Sequence, residues 1–447
     1  MFAGGNGVMK QVFLLNLKLC GIKNIDKEIE LEFYKKVVSQ KNFDPTNYNV
    51  KVIYGENGVG KTAIITAISV LISLLNRSNY LSNSDSLVLL NELINKKTNE
   101  LSISCEFVYQ SNIFGIYKYS VVLKRISDRK IIIAEEKLEM KRSSSTKWNS
   151  VICSQNGVLS LNVNSKKLSD FIKDSTKNLL LTQSVFGILR DVVITTTMME
   201  EIKQESNFVE AIFAMIIFSL KVYSFLDKED SHDDYVYSVL LDYLEENQRI
   251  DSSDLFRVNH LRVSNMIISK EAFIAYEDIV SNLKDFIKVF KPDLRDICID
   301  KKEIKDGYLC DLIFVYDDYQ LHGEFESTGI KKLVRLYKAF CHVENGNVVF
   351  IDELDANIHD VYLCKLLEYF IQFGKGQLCF TTHNLGPMEV LESSKKSIDF
   401  LSRDCTIVPW IKNGNYSVKA LYSKGMIEKS PFNLESFSFL GMFEGKE

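Results

Sequence analysis

The hydrophobic and polar residues of the first eighty positions predict several strands followed by one helix. Apolar residues recur at every second position over residues 12–19 and again over 29–33, which is the period of a half-buried strand. A short apolar run at 50–54 predicts a buried strand, and the polar residues 42–49 before it predict a loop. The largely apolar residues 63–76 predict a helix.

Two further regions follow with different patterns. Residues 101–140 alternate with period two and predict a second β-rich region, which the polar residues 142–150 close as a loop. Residues 201–290 carry apolar side chains at helical spacing instead. A long coiled coil is the alternative there, but the apolar positions keep no heptad repeat and the polar run 251–254 interrupts them. We therefore predict a compact helical lobe.

The last third of the chain has the pattern of an α/β unit. Strands are predicted at 297–299 and 309–316, and from Ser327 onward the pattern runs helix, strand, helix, strand, helix. That alternation is typical of a parallel sheet covered by helices. No proline lies between Pro45 and Pro292, and no linker rich in Gly, Ser and Pro divides the chain, so we expect one core with an insertion inside it.

Composition narrows the class of protein only a little. Of the 447 residues, 46% are hydrophobic and 25% are charged, which is ordinary for a globular protein, and no apolar run is long enough to span a bilayer. The N-terminus does not resemble a secretory signal, and the nine cysteines form no CxxC pair, so we expect reduced thiols, a cytoplasmic location and no membrane partner. The net charge of −5 gives no global attraction to nucleic acid, but it does not exclude a local basic groove.

The strongest chemical signal lies between the predicted strand at 50–54 and the helix after it. The eight residues there fit the pattern G-x-x-x-x-G-K-[ST]: Gly55, Glu56, Asn57, Gly58, Val59, Gly60, Lys61 and Thr62. Glycines let backbone N–H groups turn toward phosphate oxygens, and the helix N-terminus adds partial positive charge. Lys61 is expected to reach the β- and γ-phosphates of ATP, and the Thr62 hydroxyl to bind Mg²⁺. The alternative, a chance glycine-rich turn, does not account for the strand before it and the helix after it.

Two apolar strands in the last third end in polar residues that suit nucleotide hydrolysis. Residues 348–351 lead to Asp352, which is expected to hold Mg²⁺ directly or through water, and to Glu353, which is expected to polarise the attacking water. Residues 378–380 lead to His383, which is expected to contact the γ-phosphate or to brace that water. An acidic pair or a histidine at a strand end also occurs as a purely structural feature. Both predictions therefore depend on the phosphate-binding loop predicted at residues 55–62, which we call the P-loop.

A further element precedes these two strands. Ser327 and Gly329 lie at the start of a predicted apolar helix, and the N–H groups at a helix N-terminus bind anions. Taken alone, Ser327 is explained equally well as an ordinary helix N-cap.

The order of these motifs resembles that of the ABC-type ATPase heads of the SMC, RecF and OLD families. The resemblance covers the chain to about residue 75 and again over 320–403. In those families a Ser-x-Gly signature completes the ATP site of a second subunit. The resemblance therefore implies that Ser327 and Gly329 meet the γ-phosphate held by Lys61 of a second copy.

The resemblance implies roles for two more residues, whereas one residue of the family pattern has no clear counterpart. Asp355 matches the D-loop position, which contacts the partner head, and His383 matches the switch histidine. The family's Q-loop glutamine has no convincing counterpart, and Gln110 and Gln183 are the candidates.

The implied fold class is α/β, namely an ABC-ATPase-like P-loop head with an inserted β-rich region and a compact helical lobe. The head is expected to contain a mixed or parallel sheet flanked by helices. Residues 1–200 are expected to form the N-terminal part of the head with the P-loop and the β-rich region, and residues 201–292 the helical insertion lobe. Residues 293–447 are expected to form the C-terminal part of the head with the signature, the acidic strand end and the histidine.

Within that superfamily the chain is similar to the compact AAA-type ATPases of bacterial anti-phage defence operons. The ATPase subunit of PARIS-type systems is the most specific resemblance, although related two-gene systems use similar ATPases. It implies a homo-oligomer with ATP-bridged heads that holds and releases a separate effector, a nuclease or toxin, which is TOPRIM-like in PARIS-type systems. The residues after Arg403 are too few for a nuclease domain, so we expect the effector on another chain.

Two other functions stay open at this stage. A DNA repair or maintenance ATPase of the RecF or SMC type would bind duplex DNA directly. The basic pairs Lys124-Arg125, Arg129-Lys130 and Lys141-Arg142 are candidates for following a phosphate backbone, although charged positions on a solvated sheet explain them as well. The third function is a scaffold that ATP stabilises with negligible turnover.

Overall fold

The computed structural model describes residues 11–45, 48–110, 114–195, 205–226, 260–394, 396–411 and 416–427. Within these residues the chain forms three β-sheets together with helices, so the prediction of an α/β protein is confirmed. None of the described helices is both long enough and apolar enough to cross a bilayer.

The elements are numbered in chain order. The strands are β1 (Gln11–Cys20), β2 (Ile29–Glu32), β3 (Val50–Gly55), β4 (Glu100–Gln110), β5 (Phe114–Ser127), β6 (Lys130–Lys141), β7 (Asn149–Gln155), β8 (Val158–Leu161), β9 (Val222–Phe225), β10 (Met266–Ser269), β11 (Asp296–Ile304), β12 (Gly307–Val315), β13 (Gln320–His322), β14 (Val348–Ile351), β15 (Gln377–Thr381), β16 (Ile398–Leu401) and β17 (Ile407–Pro409). The helices are α1 (Lys61–Asn76), α2 (Ser84–Leu93), α3 (Lys166–Thr176), α4 (Val185–Thr195), α5 (Ser206–Lys221), α6 (Phe273–Phe290), α7 (Thr328–Glu344), α8 (Asp360–Phe373), α9 (Gly386–Leu391) and α10 (Val418–Ser423).

A six-stranded sheet in the order β17-β16-β3-β15-β14-β9 carries the strands that the motifs follow. Its neighbouring strands are parallel except for β16 and β17. The residues of β3, β14, β15 and β16 are all buried, as expected of a parallel sheet with both faces covered. We call this the central sheet. Because β3, β15 and β14 are neighbouring parallel strands, the residues that follow them lie side by side at the carboxyl ends of the strands. We refer to this end of the central sheet as its edge.

A seven-stranded antiparallel sheet confirms the predicted β-rich region. Its order is β2-β1-β4-β5-β6-β7-β8, and long hairpins join β4, β5 and β6. In β4 buried and partly exposed residues alternate, which is the period-two pattern seen in the sequence.

Residues 201–290 are not wholly helical, which corrects the prediction of a helical lobe. Their described part contains α5 and α6 but also β9 and β10, and residues 201–204 and 227–259 lie outside the described residues. β9 pairs in parallel with β14 in the central sheet, and β10 pairs with β12 in a third sheet that also contains β11 and β13. A short apolar run directly after an apolar helix cannot be distinguished from helix by periodicity alone. The proposed boundaries between domains stay predictions.

The two faces of the central sheet belong to different hydrophobic cores. Ile53 and Phe350 pack into the first core, together with α1 and the seven-stranded sheet. Their neighbours Val52 and Ile351 pack into the second core, together with α6, α7, α8 and the third sheet. Alternate residues of each strand therefore hold the two halves of the protein on opposite faces of one sheet.

An ion pair is buried between two strands of the central sheet. Lys51 Nζ of β3 lies 2.7 Å from Asp399 Oδ2 of β16, and their side chains are only 3% and 2% exposed. The Lys51 ammonium also lies 5.5 Å from the centroid of the Phe33 ring. Each charge depends on the other, because both side chains are almost completely removed from water.

Candidate ATP-binding site

The backbone of the P-loop requires glycine at three positions. Gly58 and Gly60 have φ angles of 77° and 112°, in the left-handed region that favours glycine. A Cβ atom at Gly60 would lie 2.9 Å from the Ile25 side chain, and one at Gly55 would lie 2.6 Å from the Leu401 carbonyl oxygen. The loop therefore follows β3 in a tight path that larger residues would distort.

The start of α1 and the side chain of Lys61 form the predicted phosphate site. Gly60 is the N-cap of α1 and supplies no capping side chain, so the first N–H groups of the helix are available to an anion. Lys61 Nζ donates to the carbonyl oxygens of Gly55 at 3.0 Å and Glu56 at 2.9 Å. The lysine thus curls over the loop into which phosphate oxygens would fit.

The predicted acidic residues lie close enough to Lys61 to affect its pKa. Burial lowers the pKa of Lys61, and the carboxylates of Asp352, Glu353 and Asp355 oppose that shift. These residues are far apart in the chain, so the central sheet is what places them within reach of one another.

A threonine that the sequence interpretation gave no role holds the acidic pair in place. Thr381, the last residue of β15, donates its hydroxyl to Asp352 Oδ1 at 2.5 Å and accepts the Glu353 N–H at 2.8 Å. The Asp352 N–H donates to the Phe225 carbonyl of β9 at 2.8 Å. Glu353 has a φ angle of 45°, which is uncommon for a residue with a side chain and is found most often at functional sites.

His383 follows β15 at the same edge of the central sheet. Partial burial and the nearby Lys61 lower the pKa of His383, whereas Asp355 and Asp352 oppose the shift. The lowered pKa favours the neutral imidazole at pH 7, which is able both to donate and to accept a hydrogen bond.

The next residue, Asn384, joins the histidine loop to two other elements. Its Nδ2 donates to Asp360 Oδ1 at 2.5 Å, and its carbonyl oxygen accepts the Tyr54 hydroxyl at 2.8 Å. Its own N–H donates to Thr382 Oγ1 at 2.9 Å. Tyr54 belongs to β3 and Asp360 begins α8, so the loop is fixed against the P-loop strand and against the helix after Asp355.

Within the described residues, the polar side chains of Asn24 and Arg403, outside the predicted motifs, also bond to the P-loop. Asn24 Nδ2 donates to the Gly58 carbonyl oxygen at 2.7 Å. Arg403, which follows β16, pairs with the carboxylate of Glu56. Sequence reasoning missed both, because an asparagine after a first strand and an arginine after a later strand are common and carry no motif of their own.

Ser327 and Gly329 begin α7 beside the loop that contains Asp355. Ser327 Oγ accepts the Ile330 N–H at 3.3 Å, so Ser327 is the N-cap of the helix. A Cβ atom at Gly329 would lie 2.6 Å from the Asn357 carbonyl oxygen, so the Asp355 loop packs against the first turn of α7. The hydrogen bonds of Ser327 stay within its own loop and helix, and the predicted contact with a second copy stays a prediction.

The candidate Q-loop glutamines lie away from this edge. Gln110 ends β4 in the seven-stranded sheet and is paired with Gln11, and Gln183 precedes α4. In the described part of the chain neither glutamine hydrogen-bonds to the P-loop, to the acidic strand end or to His383. No hydrogen bond in the described part of the chain therefore supports a Q-loop role for either glutamine, and the position of the Q-loop residue stays open.

Most basic side chains of the three pairs in the β-rich region contact other residues of the protein. Lys124 pairs with Glu100 at 2.7 Å, Arg125 donates to the Ile94 carbonyl at 2.5 Å, Lys141 lies 3.9 Å from the Trp148 ring centroid, and Arg142 pairs with Glu210 at 3.2 Å. Arg129 and Lys130 are exposed at the turn between β5 and β6. These contacts favour charged positions on a solvated sheet over a groove for nucleic acid.

The side chains at the site fit Mg²⁺ bound together with a nucleotide. Thr62 is partly exposed in the first turn of α1, and it offers a hydroxyl oxygen as Asp352 offers a carboxylate. Mg²⁺ prefers hard oxygen ligands and usually takes one or two from the protein and the rest from phosphates and water. No cluster of three or more His, Cys, Asp or Glu side chains suited to a metal occurs among the described residues.

Comparison with known proteins adds a distant likeness in structure. No family model and no curated protein matches the chain. Two solved structures of the recombination mediator protein RecF of the RecFOR pathway are similar to it, one with ATP and one with ATPrS, each at 13% identity and a TM-score of 0.39. The first likeness covers 91% of this chain and 100% of the RecF chain, and the second covers 90% and 99%. A likeness this distant carries no inference about function, which depends on the chain's own residues.

Proposed function

We propose that this protein is an ABC-type ATPase that binds ATP with Mg²⁺ and hydrolyses it at one edge of the central sheet. The observation that supports this most directly is that β3, β15 and β14 are neighbours, so their carboxyl ends bring Lys61, His383 and Glu353 together. The carboxyl ends of parallel strands are where open α/β sheets bind their ligands.

Each of these side chains has a distinct task in the proposed reaction. Lys61 exchanges the loop carbonyls that it now contacts for oxygens of the β- and γ-phosphates. Thr62 and Asp352 are the residues that would hold Mg²⁺, which would supply positive charge to offset that of the phosphates. Glu353 orients the attacking water and accepts its proton, and the neutral His383 hydrogen-bonds to the γ-phosphate.

We further propose that two copies of the protein close around ATP. The exposed N-terminus of α7 at Ser327 presents helix N–H groups that suit a phosphate. Because Gly329 packs directly on the loop that contains Asp355, the signature and the D-loop form one surface. A second copy that contacts this surface would meet both elements at once.

As a biological role, we propose that this assembly holds and releases a separate effector in an anti-phage defence system. The effector is a nuclease or toxin on another chain, and a TOPRIM-like protein is the specific candidate. The order of the motifs, and its resemblance to the ATPases of such systems, is what supports this role.

Phosphate release in the presence of Mg²⁺ and ATP tests the proposed reaction. Lys61→Ala should abolish ATP binding, whereas Glu353→Gln should bind ATP and release phosphate about 10²–10⁴-fold more slowly, the usual effect of losing a general base. Lys365→Ala, which removes an exposed lysine of α8, should change neither property. Normal turnover by Glu353→Gln would refute the role given to that carboxylate.

Co-purification tests the biological role. Tagged Glu353→Gln protein is expressed with its natural neighbouring genes, and its companions are identified by mass spectrometry and by the absorbance ratio for nucleic acid. A stoichiometric protein partner without nucleic acid supports the defence role. Nucleic acid without a protein partner would favour a DNA repair ATPase, and effector retention that is indifferent to nucleotide would favour a scaffold.

A further inference from the structure

A carboxylate is buried directly before the signature serine. The side chain of Glu326 is only 1% exposed, although Ser327 beside it is exposed. Burial of an ionised carboxylate is unfavourable unless hydrogen bonds and an opposite charge compensate it. The groups that compensate the Glu326 carboxylate therefore identify the segments that are held together beside Ser327.

Three groups surround the Glu326 carboxylate. The Tyr316 hydroxyl donates to Oε1, and the Ser327 N–H donates to Oε2 at 3.0 Å. Lys291 Nζ lies 3.6 Å from Oε2 and 4.5 Å from the centroid of the Tyr316 ring. The carboxylate thus holds the backbone of the residue that caps α7.

The lysine belongs to a helix that also packs along the signature helix. Lys291 is the C-cap of α6. Phe286 of α6 has its ring centroid 5.2 Å from that of Tyr337 and 5.8 Å from that of Phe340, and both partners lie on α7. α6 therefore contacts α7 along its side, and through Lys291 it also contacts the loop that begins α7.

A second segment that precedes α6 contacts the same loop. The Ser264 hydroxyl donates to the Glu324 carboxylate. Gly323 packs so closely that a Cβ atom there would lie 2.7 Å from Val263 Cβ. The loop 323–327 is consequently fixed by residues on both sides of α6 in the sequence.

We propose that Glu326 is a positioning residue that couples α6 to the signature, so that a shift of α6 moves Ser327 toward or away from the ATP of a second copy. This inference rests on the ATP-bridged pair proposed above and adds the element that regulates it. Loss of the contact between Lys291 and Glu326 weakens self-association. ATP binding to the chain's own P-loop is unaffected, because that loop contacts Asn24 and Ile25 after β1 and Leu401 and Arg403 at the end of β16 instead.

The test measures self-association and nucleotide binding separately in full-length protein. All variants are made in the Glu353→Gln protein, which serves as the parent. ATP-dependent self-association is followed by analytical ultracentrifugation, and nucleotide affinity is measured with a fluorescent ATP analogue. Lys291→Met and Tyr316→Phe each remove one partner of Glu326 and keep most of the side-chain volume. Each should weaken self-association by about tenfold, the scale expected when a buried carboxylate loses one ion-pair contact (Lys291) or one hydrogen bond (Tyr316), with the affinity for the analogue unchanged.

A matched control and a double variant distinguish coupling from a general loss of packing. Lys284→Met removes a lysine from the same helix, where it lies 3.7 Å from Asp296, and should change neither measurement. Glu326→Gln should weaken self-association as Lys291→Met does. The double variant that combines Glu326→Gln with Lys291→Met should self-associate no more weakly than either single variant, because both substitutions remove the same interaction.

Full self-association by Lys291→Met and Tyr316→Phe would overturn the coupling and leave the ATP-bridged pair intact. A parent protein that binds the analogue but never self-associates with ATP would overturn the proposed pair and this inference with it. Loss of analogue binding in step with self-association would also overturn the inference, since the substitutions would then act on the whole protein.

Discussion

Replacement of Thr381 by valine should slow ATP hydrolysis while leaving ATP binding nearly intact. The change keeps the shape of the side chain but removes the hydroxyl that bonds to both Asp352 and the Glu353 N–H. Thr381 is 0% exposed and Asp352 is 1% exposed, so water does not readily replace the lost contacts. The P-loop is untouched, and it carries most of the proposed phosphate contacts.

The magnitude follows from the two hydrogen bonds. The bond to the Asp352 carboxylate is worth about 1.5–3 kcal/mol and the bond from the Glu353 N–H about 1 kcal/mol, so the protein should lose about 2.5–4 kcal/mol of stability. The freed acidic pair would also shift relative to the phosphates, and a displacement of about 1 Å at a reacting group lowers the rate about 10²-fold. We therefore expect kcat to fall about 10²-fold with KM for ATP little changed.

Steady-state phosphate release and thermal unfolding of the same samples measure the two effects. Thr176→Val is the matched control, because Thr176 is also 0% exposed but bonds only to carbonyl oxygens within α3. It should lower stability slightly and leave kcat unchanged. A Thr381→Val protein that keeps its kcat but has a raised KM would refute the idea that Thr381 orients the acidic pair.

Three further predictions concern stability and assembly. Lys51→Met or Asp399→Asn alone should lower the free energy of unfolding by about 3–5 kcal/mol in urea titrations, and the double substitution should recover much of that loss, because it leaves no unpaired buried charge. Burial, aided by Lys338, lowers the pKa of His342 from 6.5 to about 4, so the folded protein binds fewer protons than the unfolded chain between those values. Stability should therefore fall as the pH drops through that window, by about 2 kcal/mol after allowance for partial exposure, and His342→Gln should remove that slope in urea titrations at several pH values. Gly329→Ala should weaken ATP-dependent self-association in ultracentrifugation, because its Cβ would meet the Asn357 carbonyl oxygen at 2.6 Å, whereas Gly187→Ala, with its nearest atom at 3.6 Å, should be tolerated.

The sequence predicted those parts of the fold that depend on residues close together in the chain. The alternation at 12–19 predicted a strand that is observed at Gln11–Cys20, and the apolar run at 63–76 predicted a helix observed at Lys61–Asn76. Both patterns arise from the local burial of one face of an element. The P-loop was recognisable for a similar reason, since all of its residues are contiguous.

Contacts between distant segments were beyond prediction from this one sequence. Thr381 and Asp352 are 29 positions apart, and nothing in the residues around Thr381 distinguishes it from any other threonine at a strand end. Glu326 gave no signal either, because a glutamate before a helix is usually solvated. β9 was hidden by the apolar helix before it, so its place beside β14 became visible only in the sheet.

The two hydrophobic cores on the opposite faces of the central sheet suggest why the proposed ATP site needs both of them. α1 and the P-loop are supported by the first core, whereas α7 and α8, which flank the Asp355 loop, are supported by the second. Among the described residues, strands of the central sheet contribute to both cores, and the side chains that converge on the proposed phosphate site follow the carboxyl ends of those strands. Nucleotide binding is therefore expected to depend mainly on packing in the first core, and assembly of two copies mainly on packing in the second. A cavity in either core should accordingly impair one of these two properties before the other.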